Sequence, residues 1–146
     1  MNNKKRLINW INTILKEVSK LSGNKGVEIL NKCGEECSMS SELLKGAVKI
    51  SKENIEEQDL DTIFNAYKSQ YYNTSRLTKK GNTITLIFEE CTCPLVEEGV
   101  SNSYLCNCTV GYTKHIFETL FNRAVTVELK QSILRGDKLC KQNISY

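Results

Sequence analysis

What this 146-residue chain has little of narrows the field before any motif is read. Proline occurs once, at Pro94, and no stretch resembles a linker or an internal repeat. Histidine also occurs once, at His115, so there is no His-Glu-X-X-His metalloprotease helix. Phosphate loops, dinucleotide fingerprints and serine nucleophile elbows are likewise missing. No apolar run approaches the roughly 20 residues of a membrane helix. Charge of one sign never gathers: 20 basic residues stand against 17 acidic ones, and only Lys4-Lys5-Arg6 and Lys79-Lys80 are adjacent. A nucleic-acid face needs clustering that is absent here. The partners to expect are therefore neither nucleic acid nor membrane.

Cysteine, by contrast, is plentiful. There are seven, five of them between Cys91 and Cys140. The basic N-terminus is followed by Leu7 to Leu21, which Asn9, Asn12, Lys16, Glu17 and Lys20 interrupt. It is therefore an amphipathic helix rather than a signal peptide. The chain reads as cytoplasmic, where thiols stay reduced and clustered cysteines favour metal or redox chemistry over structural disulfides. The Asn-X-Ser/Thr triplets at Asn73, Asn107 and Asn143 would matter only in a secreted protein.

The length suits one domain, residues 1–146, able to bury about two-thirds of its unfolded surface. Its first half is helical. Residues 5–21 put Leu7, Trp10, Ile11, Ile14, Val18 and Leu21 on one face, the pattern of a core-packing helix. A turn at residues 22–26 leads to a helix over 27–37 carrying Cys33 and Cys37 near its end. Ser40 or Ser41 caps the next, whose apolar side is Leu43, Leu44, Ala47, Val48 and Ile50. Asp59 or Asp61 starts a fourth, with Leu60, Ile63, Phe64 and Tyr67.

The polar run Asn73-Thr74-Ser75-Arg76 marks a change of regime, so residues 1–75 form the helical part and 76–146 a sheet with one helix. Lys79-Lys80-Gly81-Asn82 signals a turn, and Thr83 to Phe88 a strand. A strand ending at Cys93, a loop over 96–103 and a strand over 104–108 follow. Gly111 turns the chain into a helix with Tyr112, Ile116, Phe117, Leu120 and Phe121. Residues 125–129 and 140–144 are the last strands, with Arg135-Gly136-Asp137 at the bend between them. The fold class expected is α+β, with N-terminal helices packed on an antiparallel sheet and a β-β-α-β-β C-terminal half.

Cys91 and Cys93 alternate along an expected strand, as do Cys106 and Cys108, so each pair presents its thiols on one face. If the faces meet, four sulfurs converge on one ion at about 2.3 Å each, suiting zinc or, less readily, an iron–sulfur centre. Buried free thiols or a switchable cross-strand disulfide are the other readings. Cys33 and Cys37, four apart on one helix side, complete such a site, form a redox pair or face the core. Gly34 between them allows close approach. His115 is either a surface histidine or a general base paired with a cysteine nucleophile. Tyr104, Tyr112, Phe117, Phe88 and Trp10 are candidates for lining a pocket or simply for the core.

Cys93-Pro94, Cys108-X-X-Gly111-Tyr112, Phe117-Glu118, Val127-Glu128, Ser132 to Asp137 and Cys140 together resemble the 4-vinyl-reductase-type ligand-binding domain. That superfamily includes TRAPP-subunit-like and haem-NO-binding relatives. The resemblance covers roughly residues 84–146. Cys33-Gly34-X-X-Cys37 and the two Cys-X-Cys pairs also resemble a cysteine-rich branch loosely labelled aminothiazoline-carboxylate hydrolases. It implies a small-molecule ligand held between helices and sheet. In the superfamily's metal-binding sensors, a carboxylate and cysteines around the final hairpin hold zinc. Here Cys140 matches the last cysteine, Ser132 stands in place of another, and Leu129 falls at the carboxylate, with Glu128 one residue off. Three functions are expected in consequence: a small-molecule-binding or sensing domain with a cysteine-held metal, a hydrolase using a cysteine or metal-bound water, and a helix-mediated interaction module, homodimer included.

Overall fold

The structure is a computed structural model, and it describes residues 2–57, 59–72 and 76–146. Four helices come first: α1 (Asn3–Val18), α2 (Lys25–Ser38), α3 (Glu42–Glu53) and α4 (Leu60–Tyr71). Their starts are chemically marked. The side chains of Asn2, Ser41 and Asp59 accept hydrogen bonds from the backbone N–H of Lys5, Leu43 and Asp61. Each satisfies a donor that the first helical turn leaves without a partner. The change of regime expected at Asn73-Thr74-Ser75 lies outside the described residues.

The second half contains β1 (Leu77–Lys80), β2 (Thr83–Phe88), a single-turn α5 (Pro94–Glu97), a 3₁₀ turn over Ser103–Cys106, α6 (Asn107–Phe121), β3 (Thr126–Gln131) and β4 (Cys140–Ser145). The strands form one antiparallel sheet in the order β1-β2-β4-β3. Gly81, at φ 60°, and Asn82 close the two-residue hairpin between β1 and β2. Glycine first in such a loop is what a type II′ turn requires.

The α+β class is observed, and so is the β-β-α-β-β order around α6, but one strand is exchanged. Residues 104–108 are helical, not extended. Asn102 accepts from the Tyr104 N–H at 3.0 Å, which turns the chain into the 3₁₀ turn and on into α6. The strand that takes its place is β1. The expected strand through Cys93 also stops short, because pairing between β2 and β4 ends at Phe88 and Cys140. Gly111 does not precede the helix but lies inside it.

Two apolar clusters fill the interior. The larger sets α6 (Ile116, Phe117, Leu120, Phe121) between α3 and α4 on one side and Ile84, Leu86 and Ile144 of the sheet on the other. Tyr67, fully buried, meets Phe117 edge-on at 6.1 Å. The smaller joins Leu15 of α1 and Leu30 of α2 to Val100 and Leu105. Helix α1 ends at Val18 rather than residue 21, and only part of its expected core face is covered. Ile11, Leu15 and Val18 pack inward, while Leu7, Trp10, Ile14 and Leu21 are exposed, Trp10 at 64%. An apolar stripe on an amphipathic helix marks a face able to be buried; it does not say that this chain buries it.

The thiol-bearing end as candidate functional site

Helices α2 and α6 cross at two glycines, and that crossing positions the site. A Cβ at Gly34 would lie 2.7 Å from the Cys108 carbonyl carbon and 2.8 Å from Tyr112 N. One at Gly111 would lie 2.6 Å from the Asn31 carbonyl carbon. Only hydrogen at these positions lets the two backbones touch. Cys33 and Cys37 flank Gly34 and are exposed, so the core-facing reading of this pair is set aside. Opposite them, Cys108 stands in the first turn of α6.

Cys93 is the N-cap of α5, with Pro94 in the first helical position, where its missing N–H is harmless. Cys93 and Cys108 both pack against the smaller apolar cluster. Cys106 closes the 3₁₀ turn, its Sγ 3.1 Å from the hydroxyl of fully buried Ser132. Cys140 opens β4 and accepts a hydrogen bond from Ile133 N at 3.4 Å. Asp137 accepts from Ser132 N at 2.8 Å, and Gly136 sits at φ 103°, so Gly136-Asp137 is turn chemistry.

Burial pushes the Cys108 thiol up to about 12, and Cys33, Cys93, Cys37 and Cys106 add to the push. Burial also raises Cys106, against the pull of the Ser132 hydroxyl and Arg135, with Cys140 and Cys91 raising it further. The seven free cysteines come from α2, the segment between β2 and α5, the 3₁₀ turn and start of α6, and the start of β4. The expected pairing by face does not survive the change of secondary structure. On a helix, residues two apart point about 200° apart, so Cys106 and Cys108 look in different directions. Cys106 faces Ser132 and Cys140; Cys108 faces α2. Among the described residues, no three Cys, His, Asp or Glu side chains form a group arranged to hold a metal ion.

An open groove of about 780 Å³ runs between α2 and α6. His115 and Glu118 line it, with Leu21 and Ile29 as apolar wall. His115 Nδ1 is 2.7 Å from the Ser38 hydroxyl, and that hydroxyl lies 2.6 Å from the Glu35 carbonyl. Sequence reasoning missed Ser38; its only signal was its place on the Cys33-Cys37 helix, one turn beyond Gly34. No cysteine lines the groove, so His115 is not paired there with a thiol nucleophile. Of the expected pocket residues, Phe117 is core, Tyr112 hydrogen-bonds Ser41 through its hydroxyl at 2.5 Å, and Tyr104 packs on the smaller cluster. Trp10 and Phe88 do not line the groove either.

The architecture is that of an α+β domain with one thiol-rich end. A family model matches residues 1–146, and the chain belongs to that family, a family of unknown function (DUF6144). No curated protein matches the chain. Among solved structures, it is similar to the phenol-responsive sensory domain of the transcription activator PoxR with phenol. That match has 10% identity, covers 94% of this chain and 73% of the other, and has a TM-score of 0.54. It is also similar to a trafficking protein particle complex subunit 3 from Naegleria fowleri covalently bound to palmitic acid. There the identity is 14%, the coverage 98% and 94%, and the TM-score 0.47. At 10% identity, the first match shows a shared fold. No described helix is long and apolar enough to cross a membrane.

Proposed function

We propose that the chain is a small-molecule-binding or sensing domain whose thiol-rich end holds a metal ion, zinc before an iron–sulfur cluster. The observation that carries the metal part is that all seven thiols are free and none is fully buried, with Cys33 and Cys37 exposed. Packing does not account for Cys33 and Cys37, which are exposed. Soft sulfur donors favour zinc and iron–sulfur centres, and a bound cation would deprotonate them. The fold shared with a phenol-responsive sensory domain supports the sensing part. The test is metal analysis of protein purified without a histidine tag, with thermal melting in the presence of phenol or benzoate. One equivalent of metal and a saturable rise in melting temperature are expected. Less than one equivalent with all seven thiols freely titratable refutes the metal part; no rise with any small aromatic probe refutes the sensing part.

One observation favours a second reading. Leu7, Trp10, Ile14 and Leu21 form an exposed stripe along and just beyond α1, the signature of an interaction module, a second copy of the chain included. Sedimentation of the wild type against Trp10→Glu decides it: a concentration-dependent dimer that the variant abolishes supports association. The hydrolase reading, with its aminothiazoline-like substrates, has weaker support, since the groove offers a positioned His115 but no thiol.

A further inference from the structure

The groove between α2 and α6 has a volume of about 780 Å³. That lies within the roughly 300–1,000 Å³ of small-molecule sites. Its charges cancel. Lys25, Lys32 and Lys114 stand against Glu28, Glu35 and Glu118. Lys32 is 3.3 Å from Glu35, and Lys114 is 3.7 Å from Glu118. The groove therefore offers no net charge to draw in an ion. Leu21 and Ile29 add an apolar wall, with Ile29 45% exposed. His115 is a half-buried polar group held in place by the opposite helix. Its Nδ1 lies 2.7 Å from the hydroxyl of Ser38, which is fully buried. Its Nε2 has no hydrogen-bond partner among the described residues.

We propose that this groove binds a small uncharged molecule made of one aromatic ring and a hydroxyl. The ring lies on Leu21 and Ile29, and the hydroxyl meets His115 Nε2. This rests on the sensing part of the proposed function and sets it apart from the thiols, since no cysteine lines the groove. The hydroxyl is the head group that suits the imidazole in either tautomer. Nε2 accepts a hydrogen bond when the proton is on Nδ1 and donates one when it carries the proton itself; a hydroxyl answers both. A carboxylate can only accept and an ammonium can only donate. Each also brings a charge that the balanced lining does not offset. A rigid ring covers the apolar wall with little conformational entropy to lose, which a flexible chain of equal area cannot do.

The test uses the full chain titrated with phenol, and with benzoate and benzylamine as anionic and cationic probes of similar size. His115 is the only histidine, so its imidazole signals in a nuclear magnetic resonance spectrum belong to one residue. Phenol is expected to shift them saturably, and the two charged probes to bind about tenfold more weakly. Ile29→Ser alters an exposed side chain and is expected to weaken phenol binding about threefold or more. His115→Phe is expected to weaken it about tenfold, with circular dichroism verifying the fold. Trp10→Glu, outside the groove, leaves the affinity unchanged. If phenol raises the melting temperature while the imidazole signals stay fixed and Ile29→Ser binds as the wild type does, this site is overturned and the sensing reading stands. Benzoate or benzylamine binding as tightly as phenol overturns the ligand class. No response to any of the three probes removes the groove site and the sensing reading together.

Discussion

Replacing Gly34 by alanine tests the crossing of α2 and α6, the helices that carry Cys33, Cys37 and Cys108. The added methyl would meet the Cys108 carbonyl carbon at 2.7 Å and Tyr112 N at 2.8 Å, against 3.4 Å for ordinary contact. These obstacles and the still closer Cys108 carbonyl oxygen are all backbone of α6, so no side chain can swing aside, and the helices must part by about an ångström or more. Overpacking a tight core costs about 1–3 kcal/mol, and a wholly backbone obstacle puts this site near the upper end. Alanine recovers about 1 kcal/mol through its better helix propensity. The net loss is then about 2 kcal/mol, or a melting temperature lowered by about 4–8 °C in a chain of this size. Urea unfolding followed by far-ultraviolet circular dichroism measures it, with Gly46→Ala as the comparison. At Gly46 the obstacle is the Tyr71 ring, a half-buried side chain free to turn, so the cost is smaller. If Gly34→Ala equals or exceeds the wild type in stability, the helices are not in backbone contact there and the reasoning fails.

Three other substitutions probe separate contacts. The Tyr67 hydroxyl donates to the Leu43 carbonyl at 2.9 Å in the core, so Tyr67→Phe should lose about 1 kcal/mol in urea unfolding; no change would mean the hydroxyl is not so bound. Gln142, 1% exposed, faces inward between Leu86 and Leu129, and neither amide atom has a hydrogen-bond partner among the described residues. Gln142→Met keeps the volume and should raise the melting temperature, since an unmatched buried polar group costs about 1–3 kcal/mol; a lowered temperature would show that the amide is matched. Asp61 pairs with Lys79, itself set over the Tyr146 ring, and the Asp61 hydrogen bond holds the Lys79 pKa above its usual value. That raised value means stability present below about pH 10.4 and lost as pH climbs through the folded-state pKa. With Asp61 largely exposed, Asp61→Asn should lose at most about 1 kcal/mol at pH 7, less in high salt. The gap to wild type should close in alkaline unfolding curves; a gap constant to pH 12 would exclude the ion pair as its source.

Much of the fold was legible because it is written in local chemistry. Ser41 and Asp59 cap the helices they were expected to cap, and Gly81-Asn82 turns the hairpin. What was not legible depended on context. Strand β1 reads Leu-Thr-Lys-Lys, with one buried apolar residue in four, too little alternation to announce an edge strand. Tyr104 to Cys108 is a short run compatible with either state, and the Asn102 side chain decides for helix. That single difference also reassigned the site. The density of thiols was visible in the sequence, but the shared face expected for Cys106 and Cys108 is lost because both lie in helical turns. Likewise, the periodicity of α1 revealed an apolar face without revealing that half of it lacks a cover.

The strand order carries a consequence for how this chain reaches its native state. β1 with β2, and β3 with β4, are neighbours in sequence, whereas the central seam joins β2 to β4. Its partners Thr85 and Asn143 stand 58 residues apart. Closing a loop of that length takes roughly 3–4 kcal/mol of chain entropy before any cross-seam contact is made. Two locally formed hairpins should therefore zip together late, once α6, which lies between them in the chain, has collapsed to give both a surface to land on. The seam is then the slow step of folding, and substitutions at Ile84 and Ile144, which face each other across it, should slow refolding more than they speed unfolding.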